Sequence, residues 1–185
     1  MAHHCPWWLG YLLANPLRKL RQDPHDILSP FVTEGMTVLE PGPAMGFFTL
    51  ELARLVGPDG RVVAVDVQPR MLASLRRRAG RRALDSRIET RVAPGGGDLG
   101  VSDLAGRADF ALLFAMVHEV DDPPRFFAEV AKTLKPGGKV LLAEPKGHVK
   151  APMFEAELAQ AAACGLAAAD RPRIAASHAA VLVKG

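Results

Sequence analysis

The chain is predicted to fold as an α/β protein, a doubly wound and mostly parallel sheet of seven strands with flanking helices. Three observations predict it. Short β-branched or leucine-rich runs alternate with segments of helical period from residue 36 onward. The first five of those runs are mostly apolar on both faces, as buried parallel strands are. The connections are short, so successive parallel strands need right-handed crossovers, and helices cover both faces of the sheet.

Taken in order, residues 7–32 read as helical, with Pro16 interrupting the first stretch and Pro24 opening a turn after Asp23. The first strand is Met36 to Glu40, and a helix follows from Phe47 to Val56. Arg61 to Asp66 is the second strand, and Pro69 to Arg82 is a helix with proline at its first position, where a missing N–H costs nothing. Arg87 to Val92 and Ala108 to Phe114 are the third and fourth strands. The helix Pro124 to Leu134 carries the core stripe Phe126, Phe127, Val130, Ala131 and Leu134, and Lys135-Pro136-Gly137-Gly138 ends it before the fifth strand, Lys139 to Glu144. After Pro152 a helix with Phe154, Leu158 and Ala162 on one stripe leads to a weak strand near Ala167 and a final one from Ala179 to Lys184.

At 185 residues the chain suits one domain over 1–185, with 1–32 as an N-terminal helical lid or packing segment and 33–185 as the core. It is 49% hydrophobic and 23% charged, the balance of a globular enzyme and not of a disordered tail. Net charge is only +3, and the basic excess gathers in Arg76, Arg77, Arg78, Arg81 and Arg82. No aromatic residues interleave that run as base-stacking platforms would, which favours a solvated helix face over a nucleic-acid site. Cys5 and Cys164 have no Cys or His partner at zinc-ligand spacing, so free thiols and a reducing cytoplasm are expected. The apolar run from Trp7 to Ala14 is too short for a bilayer span and lacks the flanks of a signal peptide.

The most informative stretch is Val38-Leu39-Glu40-Pro41-Gly42-Pro43-Ala44-Met45-Gly46-Phe47, a strand running into a glycine-bearing turn and then a helix. Gly42 and Gly46 carry no Cβ to collide with a ligand above the turn. A dinucleotide loop would want glycine at the first, third and sixth positions; here those are Gly42, Ala44 and Phe47, and the large Phe47 argues against NAD or FAD. The second strand ends at Asp66, twenty residues beyond Gly46, where a carboxylate can accept both hydroxyls of a ribose. An adenosine-bearing ligand without pyrophosphate satisfies both features.

On these residues the chain resembles the class I S-adenosylmethionine-dependent methyltransferases, especially the small-molecule branch, over residues 30 to 150. The resemblance implies a Rossmann-like methyltransferase fold with the first strand central and the last antiparallel. It also implies S-adenosyl-L-methionine as cofactor, with Glu40 and the loop through Gly42, Ala44, Gly46 and Phe47 holding the methionine portion. Asp66 would hold the ribose, and Val67 and Met71 one face of adenine. Pro94 and Gly95 stand where the family often presents an acidic adenine contact, so their backbone would have to serve.

The fourth strand runs on into Phe114-Ala115-Met116-Val117-His118-Glu119, and the fifth into Glu144-Pro145-Lys146-Gly147-His148. The resemblance implies that Phe114 and Ala115 wall the cofactor, and His118, Glu144 and His148 are candidate catalytic groups; the open alternatives are a helix cap for His118 and a solvated strand end for Glu144. Imidazole titrates in the range a general base needs. Catechol-type sites need clustered carboxylates for magnesium, which these loops lack, so no metal is expected. The N-terminal Trp7, Trp8, Tyr11 and Leu12 are read as a lid, with sheet packing, a homodimer contact or a membrane-surface helix as alternatives. Methyl transfer to a small molecule is the leading function. An RNA or protein methyltransferase, a non-catalytic S-adenosylmethionine-binding protein and, last, an NAD-dependent oxidoreductase are the alternatives.

Overall fold

The computed structural model describes residues 22–185, so the expected lid, Pro16 and Cys5 lie outside the described residues. Seven strands form one sheet in the order β3-β2-β1-β4-β5-β7-β6. The described chain divides into two compact units, residues 22–93 and 94–185.

In the first unit, helix α1 (Pro24–Leu28) is capped by Asp23, whose side chain accepts from the His25 amide at 2.8 Å. Strand β1 (Thr37–Pro41) pairs in parallel with β2 (Arg61–Asp66), which pairs in parallel with β3 (Ile88–Val92). Helices α2 (Thr49–Leu55) and α3 (Pro69–Gly80) make the crossovers. Val38, Leu39, Val62, Val63 and Ala64 are fully buried, as the apolar runs required. Strand β3 departs from that pattern because it is an edge: Glu89 is exposed and Val92 is 56% exposed.

The expected helix from Phe47 begins only at Thr49, because the chain is still turning there. Gly46 closes the turn, donating to the Pro43 carbonyl at 2.9 Å with φ +84°. The reason for glycine at this position differs from the one the sequence suggested. A Cβ built on Gly46 would lie 2.4 Å from Leu75 Cδ1, inside the cluster that α2, α3 and β2 build from Leu50, Leu75, Leu72 and Ala64. Gly46 therefore lets the turn sit on α3, and the space it leaves is filled by protein.

The second unit holds β4 (Ala108–Phe114), α4 (Pro123–Thr133), β5 (Leu134–Pro145), α5 (Ala151–Ala163), β6 (Leu166–Asp170) and β7 (Ser177–Lys184). β4 and β5 are parallel, whereas β7 runs antiparallel to both β5 and β6. All five expected stripe residues of α4 and the start of β5 are buried. The segment Lys135-Pro136-Gly137-Gly138 proves to be an irregularity inside β5 and not a separate loop. Leu134 already pairs with Ala108, and pairing resumes at Lys139 with Phe110. On α5 the buried face is Phe154, Glu157, Leu158 and Ala161, spaced i, i+3, i+4 and i+7, so Ala161 replaces the expected Ala162 and a glutamate joins the stripe.

Gly46→Ala is expected to destabilise the fold by about 1–3 kcal/mol, the cost of a left-handed alanine plus displacement of Leu75. Urea denaturation checks it. A midpoint unchanged from wild type would show that the turn does not rest on α3.

Candidate functional site

In the first unit the polar groups gather where β1 and β2 end. Glu40, near the end of β1, is only 3% exposed. Burial pushes its carboxyl up to about 8; the neighbouring Thr49 hydroxyl counters part of this, and the Asp66 charge adds to it. Glu40 Oε2 and Thr49 Oγ1 are both buried without a hydrogen-bond partner among the described residues. A buried carboxyl with an unmet oxygen calls for a donor or a cation beyond the described residues.

The turn beyond it is built from backbone. Gly42 is exposed, has φ +69°, and donates to the Val65 carbonyl at 2.8 Å. Ala44 stands in the left-handed region at φ +49°, where an alanine is strained. Arg78, a member of the basic run, reaches back from α3 to bond the Met45 carbonyl. Burial lowers its pKa, with Arg82 adding to the shift. Phe47 is half-buried and meets Phe48 edge-on at 5.0 Å. Asp66 is 9% exposed and accepts from the Gln68 amide at 2.8 Å. Val67 next to it is exposed, whereas Met71 is buried.

The second unit carries the other candidates. Pro94 is exposed, and Gly95 (φ +93°) bridges to Asp98, whose amide donates to the Gly95 carbonyl at 3.1 Å. Asp98, which sequence reasoning passed over, accepts from the Gly100 amide at 2.8 Å and pairs with Arg125 at 3.0 Å. Phe114 is buried at the end of β4, and Ala115 takes φ +57° while donating to the Ala143 carbonyl at 2.7 Å.

Glu144 is fully buried, so it is not the solvated strand end that stood as its alternative. Its Oε1 accepts from the Met116 amide at 3.1 Å and the Val117 amide at 2.8 Å, and its Oε2 bonds His118 Nδ1. One carboxylate thus fixes both the short helical turn Val117–Glu119 and the ring it carries. Glu144 holds the His118 imidazole above its ordinary pKa, against burial, with Glu119 and Glu157 adding to the rise. His148 stacks on His118 at 5.6 Å between ring centroids, so the structure brings all three candidate catalytic residues together. Glu157 of α5 joins them and was missed. It is 8% exposed, its Oε2 lacks a partner among the described residues, and burial and the Glu144 charge push it up to about 7, with His118 opposing. Its signal was present in the sequence, a carboxylate three residues beyond Phe154 on an apolar stripe.

Residues 39–142 match the methyltransferase domain family, and that span is more than half of the chain. The chain belongs to that family. The methyltransferase domain is 29% identical over 111 residues to an arsenite methyltransferase of Halobacterium salinarum, an alignment that covers 60% of this chain. The chain spans about a quarter of that relative's length, 27%. A crystal structure of a SAM-dependent methyltransferase from Aquifex aeolicus superposes with TM-score 0.84 at 22% identity, covering 98% of this chain and 100% of that one. The cyclase SpnF superposes with TM-score 0.68 at 21% identity, covering 80% of this chain and 59% of that one. Fold and family are those of S-adenosylmethionine-dependent methyltransferases, and S-adenosylmethionine is the cofactor they imply. The residues present fit it. An unmet buried carboxyl suits a cationic ammonium, and a carboxylate at the end of β2 suits ribose hydroxyls.

Because the folded Glu40 binds its proton more tightly than the unfolded one, its contribution to stability is present below about pH 4.5 and is lost as pH rises toward about 8. Glu40→Gln removes that loss. Between pH 5 and 8, without cofactor, the stability of wild type relative to Glu40→Gln should fall by about 2–4 kcal/mol in denaturant titrations. A constant difference would mean that Glu40 ionises normally in the empty protein.

Proposed function

We propose that this methyltransferase domain methylates a small-molecule acceptor, with His118 as the group that takes the acceptor's proton and Glu144 as its positioning residue. The cofactor supplies a methyl group already activated on a sulfonium, so the protein's work is to bind, orient and exclude water. On this reading Glu40, Gly42, Ala44, Gly46, Phe47 and Asp66 of the first unit hold the cofactor, with Val67 and Met71 beside it.

The observation that carries the chemistry is the Glu144–His118 pair. With Nδ1–H donated to Glu144, the neutral ring keeps its lone pair on Nε2, which lies 4.0 Å from Glu119 Oε1. That nitrogen can accept a proton from a hydroxyl or an amine as the new bond forms. Glu144 then stabilises the imidazolium, and its own bonds to two backbone amides keep it from following the ring. His148 stacked alongside limits the ring's rotation.

The arginine run supports a small acceptor over a nucleic acid. Arg78 bonds the glycine turn, and Arg76 bonds Thr90 Oγ1 at 2.9 Å, so two of its five side chains are held by the fold.

A screen of phenol, amine, thiol and metalloid acceptors with labelled cofactor tests the reading. For a hydroxyl acceptor, His118→Ala should lower turnover by about 10² or more. In wild type, turnover should rise with pH through a value above that of ordinary imidazole, because the base must be unprotonated and Glu144 holds the proton on. Glu144→Gln should move that limb to lower pH. A thiol acceptor should respond far less. Unchanged turnover and pH dependence in both variants would remove the pair from the chemistry.

A further inference from the structure

A cavity of about 450 Å³ opens in the second unit where β5 finishes and β7 begins. Its size is that of a small-ligand site. Lys146, just past β5, and Arg171, Arg173 and His178 line it, with Phe154 of α5 beneath. The His178 ring stacks on the buried Phe154 at 5.5 Å, which holds the imidazole flat against the cavity.

The charges are unbalanced. Arg171 is engaged by Glu155 through both guanidinium nitrogens, one contact at 2.8 Å, so that pair is neutral. Lys146 and Arg173 also line the cavity and make no ion pair or side-chain hydrogen bond among the described residues. Glu155 is the only carboxylate among the lining residues, and it is already committed. The loop is held in shape by the Lys146 amide donating to the Ala176 carbonyl at 3.0 Å, with Ala176 strained at φ +59°. His178 is the register partner of Glu144, so the cavity adjoins the strand end that holds the His118 pair.

We infer that this cavity binds a small aromatic or otherwise flat organic acid, its carboxylate between Lys146 and Arg173 and its ring against His178. On the reading of the preceding subsection, that acid is the methyl acceptor, which narrows the acceptor class to acidic small molecules. A matched pair of probes, 4-hydroxybenzoate and 4-hydroxybenzamide, tests the site by calorimetry on the full chain. The acid should bind about tenfold or more tighter than the amide, as charged hydrogen bonds require. In Lys146→Gln/Arg173→Gln the acid should lose about that factor and the amide should not change. Melting temperature and affinity for S-adenosylhomocysteine should stay at wild-type values, since both side chains are exposed. Equal binding of the two probes, full retention of the acid by the variant, or binding of neither overturns the inference. Absence of methyl transfer to any acceptor would count against the small-molecule reading and leave these titrations to decide the cavity.

Discussion

Two glutamates stand at the ends of strands in places water does not reach, Glu40 on β1 and Glu144 on β5. A carboxylate in such a place has to be satisfied by the protein, stay protonated, or wait for a ligand. The two take different routes. Glu144 is satisfied within the chain by two amides and an imidazole, and so fixes a turn. Glu40 is left with an oxygen unpartnered among the described residues, and burial pushes its carboxyl up to about 8. The first unit thus carries a carboxyl that burial holds protonated, and the second an imidazole oriented by a carboxylate.

The backbone around these groups is arranged at a cost in local strain. Ala44, Ala115 and Ala176 all take left-handed φ in turns next to strand ends, where glycine would be relaxed. Each is held by bonds that leave little choice: Ala115 donates to the Ala143 carbonyl and Ala176 accepts from the Lys146 amide. The Ala44 turn is braced by Arg78 on the Met45 carbonyl and by Gly46 packed against Leu75. Such strain persists only where the surrounding fold over-determines it.

The sheet was legible because buried parallel strands are written as unbroken apolar runs. β2 and β4 begin and end where the runs do. Legibility failed where tertiary pairing outvotes local chemistry. Lys135-Pro136-Gly137-Gly138 reads as a loop, yet Leu134 and Lys139 on either side both pair with β4, and the segment bulges from within a strand. The turn after β1 and the carboxylate ending β2 were legible through spacing, Glu40 to Gly46 to Asp66. The bond between His118 and Glu144 was not legible, because they are 26 residues apart and nothing local announces it. Glu157 was legible as a carboxylate on an apolar stripe, but not its neighbours, because Glu144 and His118 come from other elements. The role of Gly46 was misread because only the fold shows Leu75 above it.

On the proposed function Glu40 receives the positive charge of S-adenosylmethionine, and proton release on binding measures that charge transfer directly. Calorimetric titration of the cofactor near pH 7, in two buffers of different ionisation enthalpy, gives the protons released per ligand. A carboxyl held protonated to about pH 8 must ionise when the cation arrives, so wild type should release about one proton and Glu40→Gln about none, with weaker binding. Cofactor binding of undiminished affinity in Glu40→Gln, with the same proton count as wild type, would contradict the account.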